Sequence, residues 1–129
     1  MKYVYAFRRS AYYPFNRQGW RNLPAGNALN SFLEKVSGMG FDGIELGLDY
    51  FSDDISEAKD EASELQKLLE GFGLPCIALR GGGGLALPKN ADRNLSRLET
   101  MIEIGSVLKV SVINTTATIQ SRKIGVEGA

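Results

Sequence analysis

The feature that most constrains this 129-residue sequence is a passage from helix to strand that occurs three times. In each passage, apolar residues at helical spacing are followed after a short turn by a run of β-forming residues. Gly40 and Gly73 mark the first two turns, 33 residues apart, and Lys109 marks the third, 36 residues further on. Because a crossover helix joins neighbouring parallel strands at an interval of about 30 residues or more, this recurrence predicts a parallel sheet.

The apolar pattern places the individual elements. With YVYAF at residues 3–7 as an opening strand, the order is β-α-β-α-β-α-β. Asp54 and Glu57 have the spacing of a capping box, which predicts that the second helix begins there. The stripes expected to face the core are Leu29, Phe32, Leu33, Val36 and Met39 in the first helix, Ile55, Ala58, Ala62, Leu65, Leu68, Leu69 and Phe72 in the second, and Leu95, Leu98, Ile102 and Gly105 in the third, which Met101, Ile104 and Leu108 widen.

Two α/β architectures accept this order, a closed (β/α)8 barrel and an open doubly wound sheet. In the second strand, Ile44 and Leu46 are bulky, whereas Gly43, Glu45 and Gly47 on the other face are small or polar. An open sheet covered by helices on both sides needs two apolar faces, so this asymmetry favours the barrel, and a flavodoxin-like sheet is the alternative. The same contrast sets Ile77 and Leu79 against Cys76, Ala78 and Arg80, and Tyr3, Tyr5 and Phe7 against Val4, Ala6 and Arg8.

Composition narrows the classes of function. Fifteen basic and fifteen acidic side chains cancel, so no overall field attracts nucleic acid or an anionic membrane, and we expect neither as a partner. No signal or membrane-spanning segment is visible, and the single cysteine, Cys76, lies in an apolar run, which predicts a buried thiol and a cytoplasmic setting. The sequence contains no histidine, which removes the commonest metal ligand and the commonest general base.

Three segments resemble one family. FLEKVSGMGFDGIEL, LQKLLEGFGLPCIAL and RLETMIEIGSVLKVSVINTT are similar to the first three helix-to-strand passages of the sugar phosphate isomerase/epimerase family, the xylose-isomerase-like TIM barrels. The resemblance runs from Ala28 to Thr116, and its most specific part is the turn G-F-D-G-I-E at residues 40–45. It implies an eight-stranded barrel with a divalent metal at its C-terminal mouth, which isomerises aldoses and ketoses or epimerises sugars.

Length limits what this resemblance can mean. A (β/α)8 barrel takes about 250 residues, and this chain has 129, enough for about four parallel strands and three helices. We therefore expect residues 1–129 to form a single partial TIM-barrel domain, the N-terminal half of such a barrel. In the family, the metal-binding residues come mostly from the later strands. We expect no cofactor in this chain, a divalent metal and a sugar or sugar phosphate substrate only in the complete form, and no activity of this chain alone.

Polar residues at the ends of the first three strands are the main candidates for a site. Arg8, Glu45 and Arg80 all fall on the smaller face near the C-terminal strand ends, with the glutamate on the middle strand. A functional interpretation has Glu45 accepting hydrogen bonds from substrate hydroxyls while the arginines hold a phosphate or carboxylate. The alternative is an Arg-Glu-Arg ion network that closes the barrel end and touches no ligand.

Two further candidates come from the remaining connections. Asn114 closes the fourth strand, where an Asn-Thr pair faces the pocket in the family, although ordinary strand-end capping explains it equally well. Trp20 lies in the long connection of residues 9–27 and could stack on a sugar ring or pack over the barrel rim. The glycines of residues 81–84 indicate a flexible loop at the mouth rather than a nucleotide motif.

Other hypotheses remain open at this stage. The acids of residues 49–54 could ligate a metal, but a helix N-terminus suits Asp53 and Asp54 better. A half-barrel could also be a non-enzymatic binding or assembly module, completed through its open sheet edges by a second copy or by another chain. A related barrel of metal-dependent DNA-repair endonucleases is disfavoured, since that chemistry relies on several histidines.

Overall fold

The computed structural model describes residues 1–7, 26–82 and 88–115. The strands in these ranges are β1 (Val4–Ala6), β2 (Gly43–Gly47), β3 (Cys76–Arg80) and β4 (Val112–Asn114). The helices are α1 (Asn27–Gly38), α2 (Ile55–Phe72) and α3 (Ala91–Leu108), with short 3-10 turns at Leu48–Tyr50 and Pro88–Asn90. None of the helices in this part of the chain has the length and apolar content that crossing a membrane requires.

The four described strands form one parallel sheet in the order β1-β2-β3-β4. A doubly wound sheet reverses its order at a switch point, whereas a barrel adds each new strand on the same side of the last. Four strands in unbroken order, with a helix in each connection, are therefore the arrangement of a partial (β/α)8 barrel. This confirms the predicted fold class, and the flavodoxin-like alternative does not fit.

One core lies between the sheet and the helices. The bulky strand residues Tyr5, Ile44, Leu46 and Leu79, and Phe7 just beyond β1, are buried together with the inner faces of all three helices. The helical members of this cluster are Phe32, Leu33 and Val36 of α1, Ala58, Ala62, Leu65 and Leu69 of α2, and Met101, Ile104 and Leu108 of α3. All three helices therefore cover the same face of the sheet, as the asymmetry of the strands predicts.

The G-F-D-G-I-E turn anchors β1 to β2. Its Asp42 carboxylate accepts a hydrogen bond of 2.8 Å from the Tyr3 amide, and its own amide donates to Tyr3 O at 2.7 Å. The Phe41 ring meets the Tyr5 ring edge-on, with centroids 5.5 Å apart. A Cβ on Gly43 would lie 2.6 Å from Pro75 O, so this position has no room for a side chain. Strand pairing thus explains why residues 41–43 have these identities, but it does not explain Glu45.

Two of the four residues of the predicted α3 stripe are misplaced, whereas Leu98 and Gly105 do face the core. Leu95 and Ile102, which the pattern placed at its centre, are 51% and 52% exposed, whereas Met101, Ile104 and Leu108 are buried. Several apolar residues surround this helix, so periodicity alone cannot tell which of them meets the sheet. Tyr3, Met39 and Ile55 are exposed as well, because each lies at or just beyond the end of an element.

An irregularity in β3 reverses two predicted side-chain directions. Ile44 is aligned with Cys76, but Glu45 is aligned with Ala78, so Ile77 is an extra residue in the β3 strand. Cys76 is consequently buried in the core, and Ile77 is half-buried on the opposite face. Strict alternation predicted the reverse for both residues, since a bulge shifts the period of two by one residue.

Of the two acidic residues expected at the N-terminus of α2, Asp54 is confirmed as its cap. Asp54 accepts a hydrogen bond of 2.9 Å from the Glu57 amide, as a capping box requires. The Glu57 carboxylate does not return to the Asp54 amide but accepts from Ser52 Oγ at 2.8 Å. Ser52 Oγ in turn lies 3.1 Å from the Asp54 amide, so the reciprocal half of the box runs through a serine.

The left-handed turn at the C-terminus of α3 can be tested by substitution of Lys109. Lys109 has φ of 56°, the left-handed conformation that Gly73 adopts at the end of α2 with φ of 65°. Because a side chain strains this conformation, we expect Lys109→Gly to raise the free energy of unfolding by about 0.5–1 kcal/mol. Gly73→Ala is the matched control and should lower it by about 1 kcal/mol. Urea unfolding measures both, and a less stable Lys109→Gly variant would contradict the assigned turn.

Candidate active site

The candidate site lies at the C-terminal ends of the first three strands. Glu45 is the middle residue of β2, two residues before its end, and Arg80 is the last residue of β3. The register aligns Gly47 with Arg80, so the arginine side chain starts beside a residue that has no side chain. The two predicted charged residues therefore do come together at one rim of the sheet.

The Arg80 guanidinium contacts three segments. Its Nη2 donates a hydrogen bond to Phe7 O, just beyond β1. Its Nε lies 3.2 Å from Glu45 Oε1 on β2, and its Nη1 lies 3.8 Å from Asp49 Oδ1 in the 3-10 turn that follows. The Nε–H is not aligned for a hydrogen bond with any described residue, so its contact with Glu45 is between charges rather than a directed bond.

Both charges of the closest pair are largely removed from water. The side chains of Glu45 and Arg80 are 15% and 20% exposed, and that of Asp49 is 36% exposed. A carboxylate at such a position needs a partner, because burying it alone costs several kcal/mol, and Arg80 provides that partner. The half of the predicted ion network between Glu45 and Arg80 is therefore present, and 15% of the Glu45 side chain remains exposed.

Gly47 makes the cluster possible. A methyl group at this position would collide with the Arg80 guanidinium and with the Asp49 carboxylate. The residues aligned with Glu45 on the neighbouring strands are alanines, Ala6 on β1 and Ala78 on β3. Short side chains thus surround the charged groups on this face and leave them space at the rim.

The remaining predicted site residues divide into two groups. Asn114 ends β4 in register with Arg80, its side chain is exposed, and its carbonyl accepts a hydrogen bond of 3.0 Å from the Gly81 amide. It therefore lies at the same rim, one strand beyond Arg80. Arg8 and Trp20 lie outside the described residues, so their roles stay predictions, as does that of the glycine loop beyond Gly82.

The acids that follow β2 do not form a metal site in the described part of the chain. Asp54 caps α2, and Asp53 lies 3.5 Å from Arg97 on α3. Asp49 faces Arg80, a partner that sequence patterns did not indicate. Among residues 1–7, 26–82 and 88–115, no three His, Cys, Asp or Glu side chains come close enough together to hold a metal ion.

Cys76 is buried below this rim, as the sequence predicts. Burial raises the pKa of its thiol from 9.0 to about 12, and the charge of Glu45 adds to the rise, against the hydrogen bonds at the backbone of Leu46 and Ala78. At neutral pH the residue is a small apolar group with a weak S–H donor, which lies 3.4 Å from Ala78 O. It is part of the core rather than a nucleophile.

The contribution of the Arg80–Glu45 pair to stability can be measured by substitution. Arg80→Met keeps most of the side-chain volume but leaves Glu45 without its cation, so we expect the free energy of unfolding to fall by about 2–3 kcal/mol. In a double-mutant cycle with Glu45→Gln, the coupling energy should be about 1–2 kcal/mol.

Arg97→Met is the matched control for this cycle, because Arg97 pairs with a carboxylate that is 97% exposed. Its loss should change the free energy of unfolding by no more than about 0.5 kcal/mol. Additive effects of Arg80→Met and Glu45→Gln would show that the two side chains do not interact.

The buried thiol of Cys76 should make the stability of the folded chain depend on pH. Between pH 9 and pH 12 the unfolded chain loses the thiol proton that the folded chain keeps, so stability falls as pH rises. The slope from this group is up to about 1.4 kcal/mol per pH unit. Urea unfolding between pH 8 and about pH 11 should show a steeper decline for the native chain than for Cys76→Ala. Equal slopes would indicate that the thiol is not buried in the folded chain.

Comparison with known proteins supports the fold. No protein-family model matches the sequence, and no curated protein matches it. A solved xylose isomerase-like TIM barrel/4-hydroxyphenylpyruvate dioxygenase fusion protein is similar in structure, with a TM-score of 0.55 and 18% sequence identity. The similarity covers 75% of this chain, which spans 15% of that protein's length. At this identity the likeness concerns the fold alone, and this chain therefore has the fold of part of a TIM barrel.

Proposed function

We propose that this chain is the N-terminal portion of a sugar phosphate isomerase/epimerase-like barrel and contributes Glu45 to the wall of a sugar-binding mouth. The complete form would interconvert aldoses and ketoses, or epimerise sugars, with the help of a metal. The observation that carries the proposal is the position of Glu45, a carboxylate on the inner face of the sheet at the C-terminal rim of parallel strands. In TIM-barrel enzymes, substrates bind at this rim.

The chemistry of the rim suits a polyol. A carboxylate accepts hydrogen bonds only, and sugar hydroxyls donate them. Arg80 fixes one side of the Glu45 carboxylate, which reduces the conformational entropy that Glu45 would lose on binding a ligand. The exposed Asn114 side chain at the same rim has both a donor and an acceptor for a further hydroxyl.

Arg80 itself is proposed as a positioning residue. Its Nη2 donates to Phe7 O, and its Nε and Nη1 lie near the carboxylates of Glu45 and Asp49. A phosphate would have to displace at least one of these acceptors before it could bind the guanidinium in a fork. Arg8 is the better candidate for an anionic substrate group, since the alternation of residues 3–8 in the sequence predicts that it lies at the same rim.

The described residues do not by themselves fit the divalent metal that the fold implies. Two carboxylates, those of Glu45 and Asp49, lie at the rim, but both face Arg80. The sequence contains no histidine that could complete a metal site. We therefore assign no metal-dependent step to this chain, and we propose that it is inactive alone. Turnover of a ketose by the purified chain in the presence of Mg²⁺ or Mn²⁺ would overturn that part of the proposal.

Binding of a sugar at the rim is the direct test. In ¹⁵N-resolved NMR titrations with D-fructose and with D-fructose 6-phosphate, we expect shifts at Glu45, Gly47, Arg80 and Asn114. The affinity should be weak, with a Kd of about 1 mM or higher, because only part of a mouth is present.

A matched pair of variants makes the titration specific. Glu45→Gln should abolish the shifts, whereas Glu103→Gln, which removes a half-exposed carboxylate of α3 that pairs with Lys59 of α2, should leave them unchanged. Shifts that survive in Glu45→Gln, or that map to the helices, would contradict the proposed role of the rim.

A second candidate function is assembly. The edges of the described sheet, β1 and β4, each pair with a single strand. Open parallel edges favour pairing with another chain, so a non-enzymatic module that is completed by a partner remains a proposal in its own right.

A further inference from the structure

Asp49 is a charged residue of the rim to which sugar binding assigns no role so far. It lies in the 3-10 turn Leu48–Tyr50 directly after β2, and its side chain is 36% exposed, against 20% for Arg80. Its Oδ1 lies 3.8 Å from Arg80 Nη1, which is too long for a hydrogen bond but close enough for attraction between the charges. A ligand that enters from solvent therefore meets the Asp49 carboxylate beside the guanidinium.

Gly47 shows where these two charged groups meet. A Cβ on this residue would collide with both Asp49 Oδ1 and Arg80 Nη1, so the two atoms lie next to the same backbone position. A ligand phosphate that approached Nη1 over Gly47 would come into contact with the Asp49 carboxylate. Because two anionic groups in contact repel each other, Asp49 opposes this approach.

The other nitrogens of the guanidinium give a phosphate no better access. Nη2 donates to Phe7 O, and Nε lies 3.2 Å from Glu45 Oε1. Arginine binds phosphate most strongly in a fork, through two N–H groups at once, and each pair of nitrogens on Arg80 includes one that faces a carboxylate. Among the described residues, this cluster thus sets two carboxylates against one guanidinium.

The same groups favour neutral hydroxyls. Carboxylate oxygens accept hydrogen bonds, and a hydroxyl donates one without bringing a charge that they would repel. Asn114, which is aligned with Arg80 on the next strand, is exposed and adds an uncharged donor and acceptor. The excess of acceptors at this part of the rim therefore suits a ligand group that donates.

We propose that Asp49 is a specificity-determining residue, which excludes phosphate and carboxylate groups from Arg80 and reserves this part of the rim for the neutral hydroxyls of a sugar. This inference rests on the proposed function and adds the orientation of the substrate. An anionic group of the substrate would lie away from β2 and β3, on the side of the rim where the sequence predicts Arg8.

NMR titrations with inorganic phosphate at constant ionic strength test the exclusion. In the native chain, phosphate should leave the amides of Gly47 and Arg80 unshifted, whereas D-fructose should shift them. Asp49→Asn keeps the size of the side chain and removes its charge, so phosphate should then shift both amides and bind at least about fivefold more tightly. The affinity of this variant for D-fructose should change by less than about twofold, since the amide oxygen still accepts hydrogen bonds.

Asp53→Asn is the matched control. It removes the same charge from the same connection, but from a carboxylate that pairs with Arg97 instead of Arg80. It should produce no response to phosphate at Gly47 or Arg80. A further measurement needs no variant, because the Arg80 Nε–H resonance of the native chain should respond to D-fructose and not to phosphate.

Phosphate shifts at Gly47 and Arg80 that are as large in the native chain as in Asp49→Asn would overturn the proposal. Equal effects of the two asparagine variants, or no gain in phosphate binding by Asp49→Asn, would also overturn it.

The proposed sugar site and the exclusion of anions fail separately. If D-fructose causes no shifts while phosphate binds only to Asp49→Asn, the sugar site is wrong and the exclusion is confirmed. If D-fructose binds in a manner that depends on Glu45, and phosphate binds equally to the native chain and to Asp49→Asn, the exclusion is wrong and the sugar site is confirmed.

Discussion

The contact of one guanidinium with three segments is the interaction on which this rim depends. Arg80 joins the end of β1, the carboxylate on β2 and the turn after β2, and Gly47 leaves the space that it crosses. A charged pair that is largely withdrawn from water is stable only when its partners are fixed. Because these partners come from successive parallel strands, the cluster forms only when the strands stand in this order and register.

The order of the helices and strands could be predicted because it depends on local sequence patterns. Helical stripes, turn glycines and the interval between them need no knowledge of distant contacts, and the observed elements follow them. The predicted side-chain directions were wrong at positions where contacts between distant segments determine which face is buried. The face of α3 that meets the sheet excludes Leu95 and Ile102, and one extra residue in β3 turns Cys76 into the core and Ile77 out of it.

Part of the candidate site, the pairing of Glu45 with Arg80, could also be predicted from local patterns. Alternation along β2 and β3 places Glu45 and Arg80 on one face, and parallel strands bring their ends to one rim, where the two are 3.2 Å apart. Phe7 O could not be found in this way, because a backbone carbonyl leaves no signal in the sequence. Asp49 was missed as a partner because its position depends on the short 3-10 turn after β2.

The central claim is that the inner face of this partial barrel carries Glu45 and Arg80 as one unit beside the end of β1. Nuclear Overhauser effects from the Arg80 Nε–H proton test it most directly, since they report only short distances. We expect cross-peaks to the side-chain protons of Glu45 and to protons at Gly47. Cross-peaks to residues of α2 or α3, without any to Glu45, would place the guanidinium beneath the helices and contradict the account.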